Sequence, residues 1–98
     1  MLKKYEKASE QVSIKGMLKA REAISHYIRP TNLTHYSELS RLLGCDAFVK
    51  HENHMPTGSF KIRGAVNFFH TIPKQNVENG VLVSTRGNHG MAMAWAAR

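Results

Sequence analysis

From residue 46 onward the sequence predicts an α/β fold, and three observations predict it. Asp46-Ala47-Phe48-Val49-Lys50 alternates as a strand does, and Val81-Leu82-Val83-Ser84 is a short apolar run of the kind buried in a parallel sheet. Between them Ile62, Ala65, Val66 and Phe69 recur at i, i+3, i+4 and i+7, which is the spacing of one helix face. A further helical pattern closes the sequence, so strands alternate with helices.

Each element has its own signal. Ile14, Met17, Leu18, Ile24 and Ile28 recur at helical spacing, with Lys15, Lys19 and Glu22 on other faces. Arg29-Pro30 stops this helix, because the residue before a proline is driven out of the helical region. Thr34 is expected to cap a short second helix, with Leu39, Leu42 and Leu43 on one side and Gly44 just past the last turn. The strand at 46–50 follows, then a loop from His51 to Ser59. The third helix is expected from about Phe60 to Thr71, closed by Pro73. After the strand at 81–84, Thr85-Arg86-Gly87-Asn88-His89-Gly90 turns the chain into the final helix. Met91 to Arg98 are strong helix formers with no glycine or proline stop, so the chain is expected to end inside that helix, as a piece of a longer protein.

Composition excludes several classes. An apolar share of 42% with 21% charged residues is globular rather than disordered. The net charge of +7 raises nucleic acid or an anionic ligand as a partner. Its lysines are dispersed, however, with Lys3, Lys4, Lys7, Lys15 and Lys19 reading as a solvated N-terminal helix face, and no set of stacking aromatics accompanies them. A nucleic-acid module is therefore the disfavoured alternative. Cys45 stands alone, so no internal disulfide forms. The start resembles no signal peptide and no stretch approaches membrane-spanning length, so the expected location is cytoplasmic.

Lys61 is the first candidate site residue. Thr57-Gly58-Ser59 leads into a helix whose first turn carries this lysine, where the macrodipole disfavours the ammonium and favours the free amine. A free amine is the form that a carbonyl-capturing lysine needs. A nucleotide P-loop is excluded by spacing, since five residues separate Gly58 from Gly64 and Ala65 follows. The second candidate is Gly87-Asn88-His89-Gly90, a strand-to-helix turn in which Asn88 is placed to cap the helix. A KH-type RNA clamp also carries GxxG but joins two helices, whereas an apolar strand precedes this one. Both loops lie after a strand's carboxyl end and before a helix start, where open α/β sheets bind ligands and free N–H groups receive anions. His35, His51 and His54 lack the spacing of a metal set, and Met91, Met93 and Trp95 read as helix core.

Taken together, Glu52-Asn53-His54-Met55-Pro56-Thr57-Gly58-Ser59-Phe60-Lys61-Ile62-Arg63-Gly64-Ala65 and Ser84-Thr85-Arg86-Gly87-Asn88-His89-Gly90 resemble the fold type II pyridoxal-phosphate enzymes. Within these, Phe60 followed by Lys61-Ile62-Arg63-Gly64 is most similar to the threonine/serine dehydratase and serine racemase branch. The resemblance implies the N-terminal part of a tryptophan synthase β-like fold, with residues 1–75 in the large cofactor-binding domain and 76–98 opening the smaller one. It implies pyridoxal 5'-phosphate as cofactor, held by Lys61 as a Schiff base, with Phe60 against the ring face and Asn88 on the ring's phenolic oxygen. Thr85, Arg86, Gly87, Asn88 and His89 would bind the substrate carboxylate.

The implied reaction is β-elimination of L-threonine or L-serine to a 2-oxo acid and ammonia, in a homo-oligomer when full length, with no membrane partner. The fragment alone is expected to be inactive. Serine racemase, or another fold type II lyase or synthase, is the alternative activity, and a non-catalytic fragment is the alternative of another class. Arg86 stands where the family usually has Ala or Ser, and in racemases a serine there supplies the second-face proton. Met55 and Asn32 also depart from the common pattern, without touching the chemistry directly.

Overall fold

The computed structural model describes residues 12–98. Its elements are α1 (Ile14–Ser25), β1 (Leu33–His35), α2 (Ser37–Leu43), β2 (Phe48–Lys50), a 3-10 turn (Glu52–His54), α3 (Lys61–Thr71), α4 (Lys74–Glu78) and α5 (Asn88–Ala96). Ser13 opens α1 by accepting a hydrogen bond from the Gly16 N–H at 3.0 Å, which satisfies one of the orphan donors of the first turn. The expected apolar stripe is only partly used. Ala23 is buried and Ile24 packs on the core, but Ile14, Met17 and Leu18 are exposed. α1 contacts α3, with Ala20 and Ala23 lining the groove between them. Ile28 is buried too, beyond the helix end. Lys15 and Lys19 are exposed as expected, while Lys3, Lys4 and Lys7 lie outside the described residues.

Thr34 caps no helix. It sits in β1, which pairs antiparallel with β2 in the register Leu33↔Lys50, Thr34↔Val49 and His35↔Phe48. Tyr36 occupies the cap position of α2 and makes no side-chain cap bond. A strand partner for residues 48–50 outweighed the capping preference of one threonine, since each pairing satisfies several backbone groups at once. Gly44 follows α2 as expected, with φ of 70° and its N–H bonded to the Ser40 carbonyl at 2.9 Å. Leu39 is half-buried, whereas Leu42 and Leu43 are exposed.

The core lies between α3 and α5. Ile62, Ala65 and Val66 on α3 pack with Ala92 and Met93 on α5, and Ile28 and Met55 complete the cluster. Phe69 and Trp95 are partly buried at its edge, and Met91 is exposed. Ile62 is fully buried, with 0% of its surface exposed. α3 ends at Thr71, and Pro73 closes it while serving as the cap position of α4, a short helix without a strong sequence signal.

The expected strand at 81–84 does not form. Val81 to Ser84 belongs to no sheet, and Leu82 is 99% exposed. A strand is defined by its ladder, and no described segment pairs with this one; only Val83 reaches the core. The α/β class stands, expressed here as helices with a two-stranded antiparallel sheet. No helix among the described residues is long and apolar enough to cross a membrane.

Candidate cofactor and substrate site

Lys61 is the first residue of α3, and Phe60 before it holds the cap position without a side-chain cap bond. The approach is set by Gly58, whose φ of 71° only glycine adopts without strain, and by its N–H bonded to the Met55 carbonyl at 2.8 Å. Burial of Met55 and Thr57 anchors this loop on the core. Phe60 and Lys61 themselves are exposed, Phe60 to 62%, so both are free to face a ligand.

The turn before α5 is built by Thr85. Its Oγ1 accepts hydrogen bonds from the N–H groups of Gly87 and Gly90, each at 3.0 Å. Thr85 therefore does the capping that the sequence assigns to Asn88, which is instead the first residue of α5. Gly87 takes φ of 147°, a glycine conformation. A Cβ on Gly90 would stand 2.6 Å from the Thr85 Cγ2, so the small residue is needed for the turn to close.

The packing of α3 on α5 brings the two motifs together. Phe60, Lys61, Phe68, Val81, Val83 and His89 line one open, largely apolar cleft of about 700 Å³. Thr85, Arg86, Gly87 and Asn88 do not line it; they form the exposed rim of the same turn, one to four residues before His89. A larger groove of about 810 Å³ between α1 and α3 is lined by Ser13, Ala20, His26, Asn67 and His70 and contains none of the motif residues. No cluster of three metal-ligating side chains occurs among the described residues.

One feature of the site has no spacing rule that would reveal it. Arg63 grips Glu52 with two bonds, Nε to Oε2 at 2.7 Å and Nη2 to Oε1 at 2.9 Å. Thr31 donates its hydroxyl to the Glu52 Oε1 at 2.5 Å, and the Lys50 ammonium lies 3.9 Å away. The hydrogen bonds from Arg63 hold the Glu52 carboxyl well below its ordinary 4.5, at about 2, against an opposing push from burial, with Thr31 and Lys50 adding to the lowering. The same pairing raises Arg63.

Comparison with known proteins decides what this arrangement belongs to. The family model described as pyridoxal-phosphate dependent enzyme matches residues 24–98. The chain belongs to the pyridoxal-phosphate dependent enzyme family. Among the family's curated members, a serine racemase of Dictyostelium discoideum is 34% identical over 89% of this chain and 27% of its own length. An L-threonine ammonia-lyase of Geobacter sulfurreducens is 40% identical over 71% of the chain and 17% of its own length. A solved maize serine racemase superposes with a TM-score of 0.83 at 31% identity, over 88% of this chain and 27% of that one. The chain thus spans about a quarter or less of these relatives. Their common cofactor is pyridoxal phosphate, and the residues present fit it. Lys61 offers a primary amine outside every described ion pair, and the Thr57 and Ser59 hydroxyls beside it are buried without a hydrogen-bond partner.

Proposed function

We propose that this chain carries the lysine-bearing part of an ammonia-lyase that converts L-threonine or L-serine into a 2-oxo acid and ammonia. The meeting of Lys61 with His89, at the start of α5, across one apolar cleft is the observation that supports this most directly. Lys61 would hold the cofactor through its amine, Phe60 would flank the ring, and Asn88 would hydrogen-bond a ring oxygen. Up to residue 75 the chain would belong to the large domain, with 76–98 opening the smaller one. When bound, pyridoxal phosphate supplies an aldehyde that amines attack and a conjugated ring that takes up the electron pair left at the substrate Cα.

This chain's own residues orient the substrate and move its protons. The Thr85–His89 turn, with N–H groups at the start of α5, receives the substrate carboxylate. The Lys61 amine, when not holding the cofactor, would take up the Cα proton. The hydroxyl at Cβ would leave as water with the proton that Lys61 took from Cα, and one water is consumed when the released enamine tautomerises and hydrolyses to 2-oxo acid and ammonia. Phe60, Phe68, Val81 and Met93 give the cleft apolar walls. Similarity to serine racemases keeps racemisation as the second reading. Arg86 at the rim does not offer the proton that a serine hydroxyl can exchange, and this favours elimination.

The test is an assay of the chain within its complete reading frame, with L-threonine and L-serine, following 2-oxo acid, ammonia and D-serine. Elimination should dominate, and Lys61→Ala should lower it by roughly 10³-fold or more. Activity retained by Lys61→Ala would remove this lysine from the reaction, and D-serine as the main product would replace the first reading by the second.

A further inference from the structure

The Glu52–Arg63 pair brackets the segment that delivers Lys61. Glu52 opens the 3-10 turn after β2 and Arg63 is the third residue of α3, so their two hydrogen bonds close a loop that contains Thr57, Gly58, Ser59, Phe60 and Lys61. Within that loop the Gly58 N–H bond to the Met55 carbonyl and the burial of Thr57 set the approach, and buried Ile62 seats the first turn on the core, but no side-chain hydrogen bond from inside the loop secures the helix start. Phe60 caps nothing, and the Thr57 and Ser59 hydroxyls are unpartnered. The first turn of a helix is its least secured part, because its N–H groups have no internal partner. Here the first turn carries the lysine, and Lys61 and Arg63 both place a cation at the positive end of the helix dipole.

We propose that Glu52 and Arg63 form a clasp that fixes the rotation of the first turn of α3, and with it the direction in which the Lys61 side chain enters the cleft. They are positioning residues rather than catalytic ones, and the inference rests on the reading of Lys61 given above. A helix advances 3.6 residues per turn, so pinning the Arg63 side chain sets the direction of Lys61 two residues earlier. Glu52 is held in turn from the other side. Thr31 donates to it, and Lys50 bonds the Thr31 carbonyl at 2.8 Å and its hydroxyl at 3.0 Å, which ties the clasp to the segment before β1 and to β2. Glu52 also neutralises Arg63, leaving Lys61 as the cation at the helix start without a described partner. The fork matters as much as the charge, since only a guanidinium spans both carboxylate oxygens.

The test uses Arg63→Lys and Glu52→Gln in the complete reading frame, with three readouts: kcat and KM for L-threonine, the rate at which borohydride fixes pyridoxal phosphate to the protein, and the melting temperature. Arg63→Lys keeps the charge at a side chain already 31% exposed, so the fold is expected to survive it. A displacement of ~1 Å at a reacting group costs on the order of 100-fold. We expect kcat to fall ~10- to 100-fold in each single variant with KM within about threefold, and the fixation rate to fall in parallel. The double variant should be no worse than either single one, because both break the same clasp. Unchanged kcat and fixation rate, even with a lowered melting temperature, would reduce the pair to a structural staple and overturn the proposal. Additive losses in the double variant would overturn it as well. Fixation on a lysine other than Lys61 in the unaltered protein would instead sink the reading of Lys61, so the two failures are told apart.

Discussion

Thr85 uses one oxygen to bind the N–H groups of Gly87 and Gly90 and one methyl to fill the space against Gly90. That methyl explains a glycine inside a helix, where alanine would otherwise be favoured by about 1 kcal/mol. Gly90→Ala places a Cβ within 2.6 Å of the Thr85 Cγ2, and rotating the threonine away breaks both hydrogen bonds. We expect Gly90→Ala to destabilise the protein by about 1–3 kcal/mol in chemical denaturation. Thr85→Ser, which keeps the oxygen and removes the methyl, should recover most of that loss in the double variant. A double variant as unstable as Gly90→Ala alone would show that the methyl is not the obstacle. At this scale the sequence was legible where local spacing sets local structure, with Lys61 in the first turn of a helix and the Gly87–Gly90 turn leading into the last one. It was not legible for Glu52 and Arg63, which are eleven positions apart and meet only because α3 folds back over the loop.

The contact between the 3-10 turn and α3 has a pH dependence of known sign. Glu52 titrates at about 2 when paired, against 4.5 for the free group. A lowered folded value means that the pair contributes fully above pH 4.5 and that its contribution is lost as the pH falls from 4.5 toward 2. With part of the carboxylate reached by solvent, the effect is on the order of 2 kcal/mol. Acid unfolding of the unaltered protein should therefore steepen below pH 4.5, and Glu52→Gln should flatten that limb; identical acid limbs would show that the pair adds nothing to stability. Element boundaries were legible where several residues agree. The 3.6-residue pattern of Ile62, Ala65, Val66 and Phe69 placed α3 to within one residue, and Gly44 marked the end of α2. Thr34 misled because a capping residue is equally at home in a strand, and the decision lay with its partner Val49, fifteen residues away.

At the scale of the whole molecule, the family was legible because two local motifs, each ambiguous alone, occur in order. Their packing was not, since residues 81–84 carry an apolar pattern that anticipates a sheet which the described residues do not supply. α3 and α5 nevertheless dock through Ile62, Ala65, Ala92 and Met93, and that docking brings Lys61 and His89 to a common cleft. The central claim is that the Lys61 amine holds the cofactor there. Treating the protein in its complete reading frame with pyridoxal phosphate and then borohydride, followed by mass mapping of its peptides, tests it most directly. The account expects the added pyridoxyl group on the peptide containing Lys61 and none in Lys61→Ala. A label on any other lysine, with Lys61 unmodified, would contradict it.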